Sequence, residues 1–398
     1  MKAIYDKFKS ELVESCAPFW LKFGVDGEYG GILNCLDRYG KVYSEDKSVW
    51  MQGRCGWTFS YLYNKIEKKQ EYLDFAKSCI DFARAYCIDK SDGRMFFTVT
   101  REGKPLRKRR YKFSETFYII ANAEYYMASG DGTYLDEAKK YFDFVYGMYK
   151  DPATDPYKIT PKSYAETRNL KSLAEPMIML NVSSIMRDAD KERYNYYNDI
   201  ITGLIEDIKV FYKPEYRATF ETLTPENEVI LTSSACRVIN PGHDIECAWF
   251  LLEEAIKRGD EETAEFARVI FDDAFELGWD KEYGGITYFK DILGLPVEAY
   301  EHDMKLWWPQ NETVIASLML YKHTGDEKYK EIFDRVCDYA FTHFSDREYG
   351  EWLGYLRRDG KPTEPPCKGH TYKGPFHVMR MLAKCITILE DMPDKESN

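Results

Sequence analysis

Apolar residues recur along most of this chain every three to four positions, with polar residues between them, which is the signature of helices burying one face. The pattern predicts twelve helices, at 2–20, 53–66, 69–86, 113–129, 132–148, 172–187, 189–211, 242–258, 260–277, 307–323, 326–344 and 373–391. Nothing between them reads as a linker or a low-complexity segment, and a short polar tail, 391–398, follows the last. One domain over 1–398 is expected.

Three signals repeat. A proline opens a helix at Pro176, Pro241, Pro309 and Pro375, at intervals of 65, 68 and 66 residues. Steps of 62 and 61 back from Pro176 reach Ser114-Glu115 and Gly53-Arg54, which makes six starts. Hairpin-like stretches begin on acidic turns at Asp26, Asp92, Asp280 and Asp346, and the first and last continue into Asp37-Arg38-Tyr39-Gly40 and Arg358-Asp359-Gly360, both strand–turn–strand in character. Short turns near Gln70, Gly130, Asp190, Gly259 and Gly325 join helices in pairs. Two helices and a hairpin loop, six times over, predict an all-α (α/α)6 barrel, or toroid, of six helical pairs with short β-hairpin loops at one end. An open solenoid would need polar capping repeats, and Phe19-Trp20-Leu21 near the N-terminus is not polar enough. The loops precede the inner helices, so the inner N-termini should converge on one mouth.

Composition narrows the function. Aromatic residues are 16% of the chain, including 32 Tyr and 8 Trp, which suits a large core or a stacking surface for sugars. A net charge of −12 argues against nucleic acid and anionic membrane as partners. Ten Cys form no CxxC pair and lie scattered through the predicted helices, as free thiols in a reducing compartment would. The first fifteen residues are charged throughout and lack the apolar core of a signal peptide, and no apolar run approaches a membrane span. A cytoplasmic protein is expected.

The candidate chemistry sits at the six starts. His243 and His377 each lie two residues after a helix-opening proline, so they should occupy one position on two copies of the repeat. Asn240 is a good N-cap, and the positive end of the helix should hold the His243 imidazole neutral, the form of a general base. Glu246 is three residues on, on the same face, and is expected to orient His243. Two imidazoles across a mouth can remove a proton from one face of a carbon and return one to the other. A proton beside a carbonyl is weaker than an imidazolium by on the order of ten pKa units, so the developing enolate needs a fixed donor. Arg54 is the first candidate and Arg380 the second. Trp307 and Trp308 offer flat faces to a pyranose, with core packing as the plain alternative. Glu312, Glu246 and Glu115 could hold sugar hydroxyls or poise the His pair, with helix N-terminal charge as the alternative. His323 and His343 fall near helix C-termini, where cationic side chains are common. The basic run Arg107-Lys108-Arg109-Arg110 with Lys112 reads first as a solvated face and second as an anion contact.

Other chemistries lack support. His243-x-x-Glu246 is not HExxH and has no third ligand nearby in sequence, so no metal is expected. No phosphate loop, dinucleotide fingerprint or GxSxG is present.

Four stretches, Asn240 to Leu252, Lys305 to Glu312, Glu348 to Leu356 and Lys373 to Arg380, resemble the N-acylglucosamine 2-epimerase family, which includes the renin-binding proteins, and the likeness covers nearly the whole chain. The resemblance implies the six-pair barrel and interconversion of N-acetylglucosamine and N-acetylmannosamine, in sialic acid metabolism. It implies that the sugar ring opens first, exposing the C1 aldehyde that acidifies C2, and that no metal or redox cofactor takes part. By motif, the catalytic pair falls on His243 and His377, the enolate-stabilising arginine on Arg54 and supporting acids on Glu246 and Glu312. The expected partners are an amino sugar and ATP, as an activator that is not consumed, with Arg107 to Arg110 the one candidate contact; a homodimer is left open. Cellobiose 2-epimerases and aldose–ketose isomerases resemble the same family, share the His pair and stand as the alternative. Asn240 to His243 and Phe376-His377-Val378 look more like the N-acyl sugar enzymes, whereas Trp308 to Glu312 is common to both branches. Met379 stands where the His–Val–Pro–Arg version has proline.

Overall fold

The computed structural model describes residues 1–109, 111–157 and 164–392. Among the described residues, and apart from single turns at Ala165–Arg168 and Ser234–Arg237, twelve helices alternate between two roles. They are α1 (Lys2–Ser10, carried through a π turn, Glu11–Cys16, into Ala17–Phe23), α2 (Val49–Lys65), α3 (Gln70–Tyr86), α4 (Phe113–Ser129), α5 (Gly132–Lys150), α6 (Ala174–Ala189), α7 (Tyr194–Lys209), α8 (Pro241–Arg258), α9 (Glu261–Gly278), α10 (Trp307–Thr324), α11 (Glu327–His343) and α12 (His377–Glu390). The odd-numbered helices are amphipathic: α3 buries Tyr72, Phe75, Ala76, Cys79, Ile80 and Ala83 and turns its polar face to solvent. The even-numbered ones are buried nearly all round, α10 without a break from Trp307 to Tyr321, because they have neighbours on every side. Each even helix packs on the next, and α12 packs back on α2, so the inner ring closes. The fold is the (α/α)6 barrel that the repeat predicts. No described helix is long and apolar enough to cross a membrane, and all ten Cys are unpaired thiols.

The proline register is only partly right. Pro241 opens α8, but Pro176 and Pro309 are third residues of α6 and α10, and Pro375 precedes α12 altogether. Amides throughout a first turn have no intrahelical acceptor, so proline is tolerated at several positions there and fixes the start only to within a few residues. Likewise α2 begins at Val49, which puts Gly53-Arg54 in its second turn. The 189–211 span is interrupted by a 3-10 turn at Lys191–Arg193 before α7.

The hairpin loops all lie at the N-terminal ends of the inner helices. Asp26 accepts from the amides of Glu28 and Tyr29, and Gly30 and Gly31 take φ of +81° and +75° to close the turn. The second copy begins at Asp89, not Asp92: the amide of Gly93 bonds to the Asp89 carbonyl at 2.8 Å, as Gly30 does to Asp26 at 2.9 Å. Each acidic turn is pinned by buried charge. Asp26 is held by Lys47 (2.9 Å) and Arg101, Asp280 by Lys305 (2.8 Å) and Arg358, and Asp346 by Lys368 (3.0 Å) and Arg38. These partners hold all three carboxyls well below the usual range, outweighing the opposing effect of burial. In each clamp the arginine comes from the following repeat, and Arg38 of the first repeat closes on Asp346 of the last. Short strands do the same with backbone: Lys47-Ser48 pairs with Thr98–Val99, Lys305-Leu306 with Tyr355–Leu356, and Asp37 bridges to Cys367. The result is a rigid collar around one mouth.

Candidate active site

Inside the collar lies a cavity of about 530 Å³. Four of the six inner-helix starts reach it, through Arg54, His243, Trp307, Trp308 and His377; those of α4 and α6 do not. Glu115, at the start of α4, is used structurally: fully buried, it pairs with Arg94 at 2.6 Å and accepts from the Met95 amide. Its counterparts Gln52 and Gln310 clasp the backbone of Ile32 and Ile286 in the same way. Two residues beyond each glutamine, the same register position carries Arg54 in one repeat and Glu312 in another.

His243 is the third residue of α8, and its amide donates to the capping Asn240 side chain at 3.2 Å. Gly242 before it leaves room for the Trp308 indole, which a Cβ would meet at 2.6 Å. The ring centroid of Trp308 lies 5.2 Å from that of His243 and 5.9 Å from that of His377, so one indole borders both imidazoles. His377 is the first residue of α12, not the third, so the two histidines do not share a repeat position although they share a cavity.

Each imidazole is held by a carboxylate on Nδ1. His243 pairs with Glu221 at 3.0 and 3.1 Å, and His377 with Glu312 at 2.7 Å. A carboxylate on Nδ1 holds the proton there and leaves Nε2 as the nitrogen available to a ligand. Glu246 does not orient His243 as its spacing suggests; it accepts from Arg380 at 2.6 Å. Arg380 also lies 2.7 Å from Glu312 and lines a different cavity, so it braces the dyad rather than facing a substrate. The surroundings push the two rings apart. Burial lowers the His377 pKa well below its ordinary value, and the cations Arg54 and Arg380 reinforce this. Burial also opposes charge on His243, but Glu221 outweighs it and the pKa is raised. The helix end therefore does not set the direction of the His243 shift; Glu221 does.

Arg54 sits in an aromatic cage, its guanidinium 4.2 Å from the Phe117 ring and 4.9 Å from Phe376. Burial lowers its pKa to about 9, which leaves it charged at neutral pH. Its one hydrogen bond to protein among the described residues is a long one, 3.4 Å, to the Tyr372 carbonyl, and its Nε has no partner. Donors are thus left for a ligand. Glu246, Glu312 and His377 come close enough to suggest a metal site, but the Arg380 guanidinium already occupies both carboxylates, and a second cation would be repelled.

Sequence reasoning missed Glu221, which lies before the short strand Thr222-Leu223 in no motif, and also Trp50, Tyr372 and His370, which line the cavity from helix and loop. His323 and His343 end helices as expected. In the basic run, Lys108 holds Asp89 and Asp92, Lys112 holds Glu175 and Arg109 donates to the Tyr372 hydroxyl; Arg110 lies outside the described residues. Met379 falls in the first turn of α12, where the backbone would also tolerate proline.

Residues 30–379 match the family model of N-acylglucosamine 2-epimerase (GlcNAc 2-epimerase). The N-acylglucosamine 2-epimerase of Bos taurus is 36% identical, over 98% of this chain and 92% of its own length. A cellobiose 2-epimerase of Ruminococcus albus is more distant, at 26% over 96% of this chain and 98% of its own. Among solved structures, a cellobiose 2-epimerase from Bacillus thermoamylovorans superposes with a TM-score of 0.85 at 22% identity, covering 97% of this chain and 100% of that one.

Proposed function

The chain belongs to the N-acylglucosamine 2-epimerase family, and we propose that it interconverts N-acetylglucosamine and N-acetylmannosamine by moving the C2 proton between two carboxylate-held histidines. The observation that carries this reading is the pair of dyads, Glu312–His377 and Glu221–His243, which face one cavity with a charged, poorly hydrogen-bonded Arg54 beside them.

The environments favour a neutral His377 as the base and a protonated His243 as the acid. On the ring-opened sugar, Nε2 of His377 takes the C2 proton as the C2–H bond breaks. The electron pair forms the C1=C2 bond, and the charge moves to the C1 oxygen. Arg54 meets that oxyanion with fixed donors, an effect worth about 3 kcal/mol per donor. Nε2 of His243 then gives its proton to the opposite face of C2, and the aldehyde re-forms. The enzyme is left with the protons exchanged, ready for the reverse reaction. Glu312 and Glu221 hold each ring in the tautomer that this requires. Trp307 and Trp308 wall the sugar, and every step runs on side chains alone, without a metal or redox cofactor.

Turnover of N-acetylmannosamine in deuterium oxide tests this: C2 of the product should carry deuterium, and turnover without label would overturn the two-histidine scheme. Cellobiose and mannose run alongside separate the amino-sugar reading from that of a neutral-sugar epimerase or aldose–ketose isomerase. The amino-sugar reading rests on 36% identity to the bovine enzyme against 26% to the Ruminococcus one. We further place the reaction in the cytoplasm and in sialic acid metabolism, as one catalytic domain. ATP activation is read by running the panel with and without it. Lys108 and Lys112 are already paired with carboxylates, so the basic run offers a triphosphate little free charge. Sedimentation reads whether the chain forms a homodimer.

A further inference from the structure

The barrel axis holds a second, larger cavity, of about 800 Å³, at the C-terminal ends of the inner helices. Its wall is drawn from five of them, α2, α4, α6, α8 and α12. Residues four apart on one helix face point the same way, and α2 presents Trp57 and Tyr61 in this fashion, α8 Trp249 and Glu253, and α12 Arg380 and Lys384. A barrel needing only stability would fill its axis with Leu, Ile and Val, since well-packed apolar side chains match or exceed buried ion pairs. This axis is instead polar and aromatic.

We propose that this distal cavity is a binding site for a neutral polyhydroxylated ligand, a monosaccharide or its N-acyl derivative. Charge excludes a phosphate or a simple cation. Lys384 already holds Glu253 at 2.6 Å, Lys257 holds Asp188 at 3.1 Å, Arg380 holds Glu246 and Glu312, and Lys65 lies within electrostatic reach of Glu124, so the wall offers an ion little net charge. What remains suits hydroxyls and a sugar's apolar face. Trp57 and Tyr61 stack at 4.8 Å, and the half-buried Tyr61 ring lines the cavity beside the buried indole. Trp57 is 96% buried, and its indole N–H finds no acceptor among the described residues. Glu124, held by Asn64 at 2.7 Å, has its carboxyl pushed up to about 7 by burial, so it both donates to and accepts from hydroxyls near neutral pH. Arg380 separates this cavity from the Glu312–His377 dyad.

The test counts sites. Calorimetric titration of the full-length His377→Asn variant with N-acetylglucosamine avoids heat from turnover, and it should show two sites per chain. Adding Ile185→Phe, which fills the distal wall, or Asn181→Leu, which removes a polar group from it, should leave one. In the active protein the same two substitutions should leave kcat/KM at low substrate within about twofold of wild type, and circular dichroism shows that each variant folds. Two sites that survive both substitutions, or a single site that survives both, would overturn the proposal. Failure of the epimerase reading would appear separately, as no turnover with two sites still counted.

Discussion

The two dyads share their parts and differ in their setting. His377 is 6% exposed, enclosed by Glu312, Glu246, Arg380 and the caged Arg54; burial lowers its pKa most, and the two guanidiniums add to that effect. The His243 side chain is 31% exposed and faces Glu221 with no cation against it. A carboxylate on Nδ1 therefore does not by itself decide protonation; burial of the ring and the charges around it decide together. One dyad becomes a base and the other an acid, and the proton gains a direction that two equal imidazoles would not give it.

Removing either ring should break the comparison most severely. His377→Ala and His243→Ala should each lower kcat by about 10³-fold or more, measured as N-acetylmannosamine turnover. They should differ in stability. His377→Ala empties a buried site and leaves Glu312 with one partner fewer, costing about 1–3 kcal/mol, whereas His243→Ala should cost less, as read by denaturant midpoint. Arg54→Lys comes next. An ammonium cannot present two parallel donors to an oxyanion or spread over the aromatic cage, so kcat should fall about 10²-fold with the charge retained. Glu312→Gln leaves Arg380 and Arg54 less compensated beside His377. Its activity should fall about tenfold to a hundredfold through loss of ring orientation, with unlabelled substrate still bound. The smallest effect is the most diagnostic. The pH profile should be a bell, with an acid limb below pH 6.5 from His377 and an alkaline limb above it from His243. Glu221→Gln removes the charge that raises the His243 pKa, so the alkaline limb should move to lower pH while the acid limb stays. An unmoved alkaline limb would assign it to another group.

The helices were legible because burial follows periodicity, and a ring with two faces leaves two patterns: one-sided on α3, all-round on α10. The histidines, Arg54 and Glu312 were legible because each sits in or near an inner helix's first turns. What escaped was set by distance across repeats. Glu221 reaches His243 over 22 residues and Arg380 reaches Glu246 over 134, and no local spacing encodes either contact. The register of the second hairpin escaped because Asp89 and Asp92 are both acidic, and only the backbone bonds of Gly93 choose between them. Proline misled at α12 because Pro375 stands before the helix rather than inside its first turn, so His377 seemed to match His243 more closely than it does.

The Arg38–Asp346 clamp, with Tyr5 donating to Glu390 at 2.8 Å, brings the first and last helices side by side. A short flexible linker from a point just after Glu390 to one just before Lys2, with the chain opened instead at the exposed Gly130-Asp131 turn, should yield a permuted polypeptide that still assembles the same ring and still turns over.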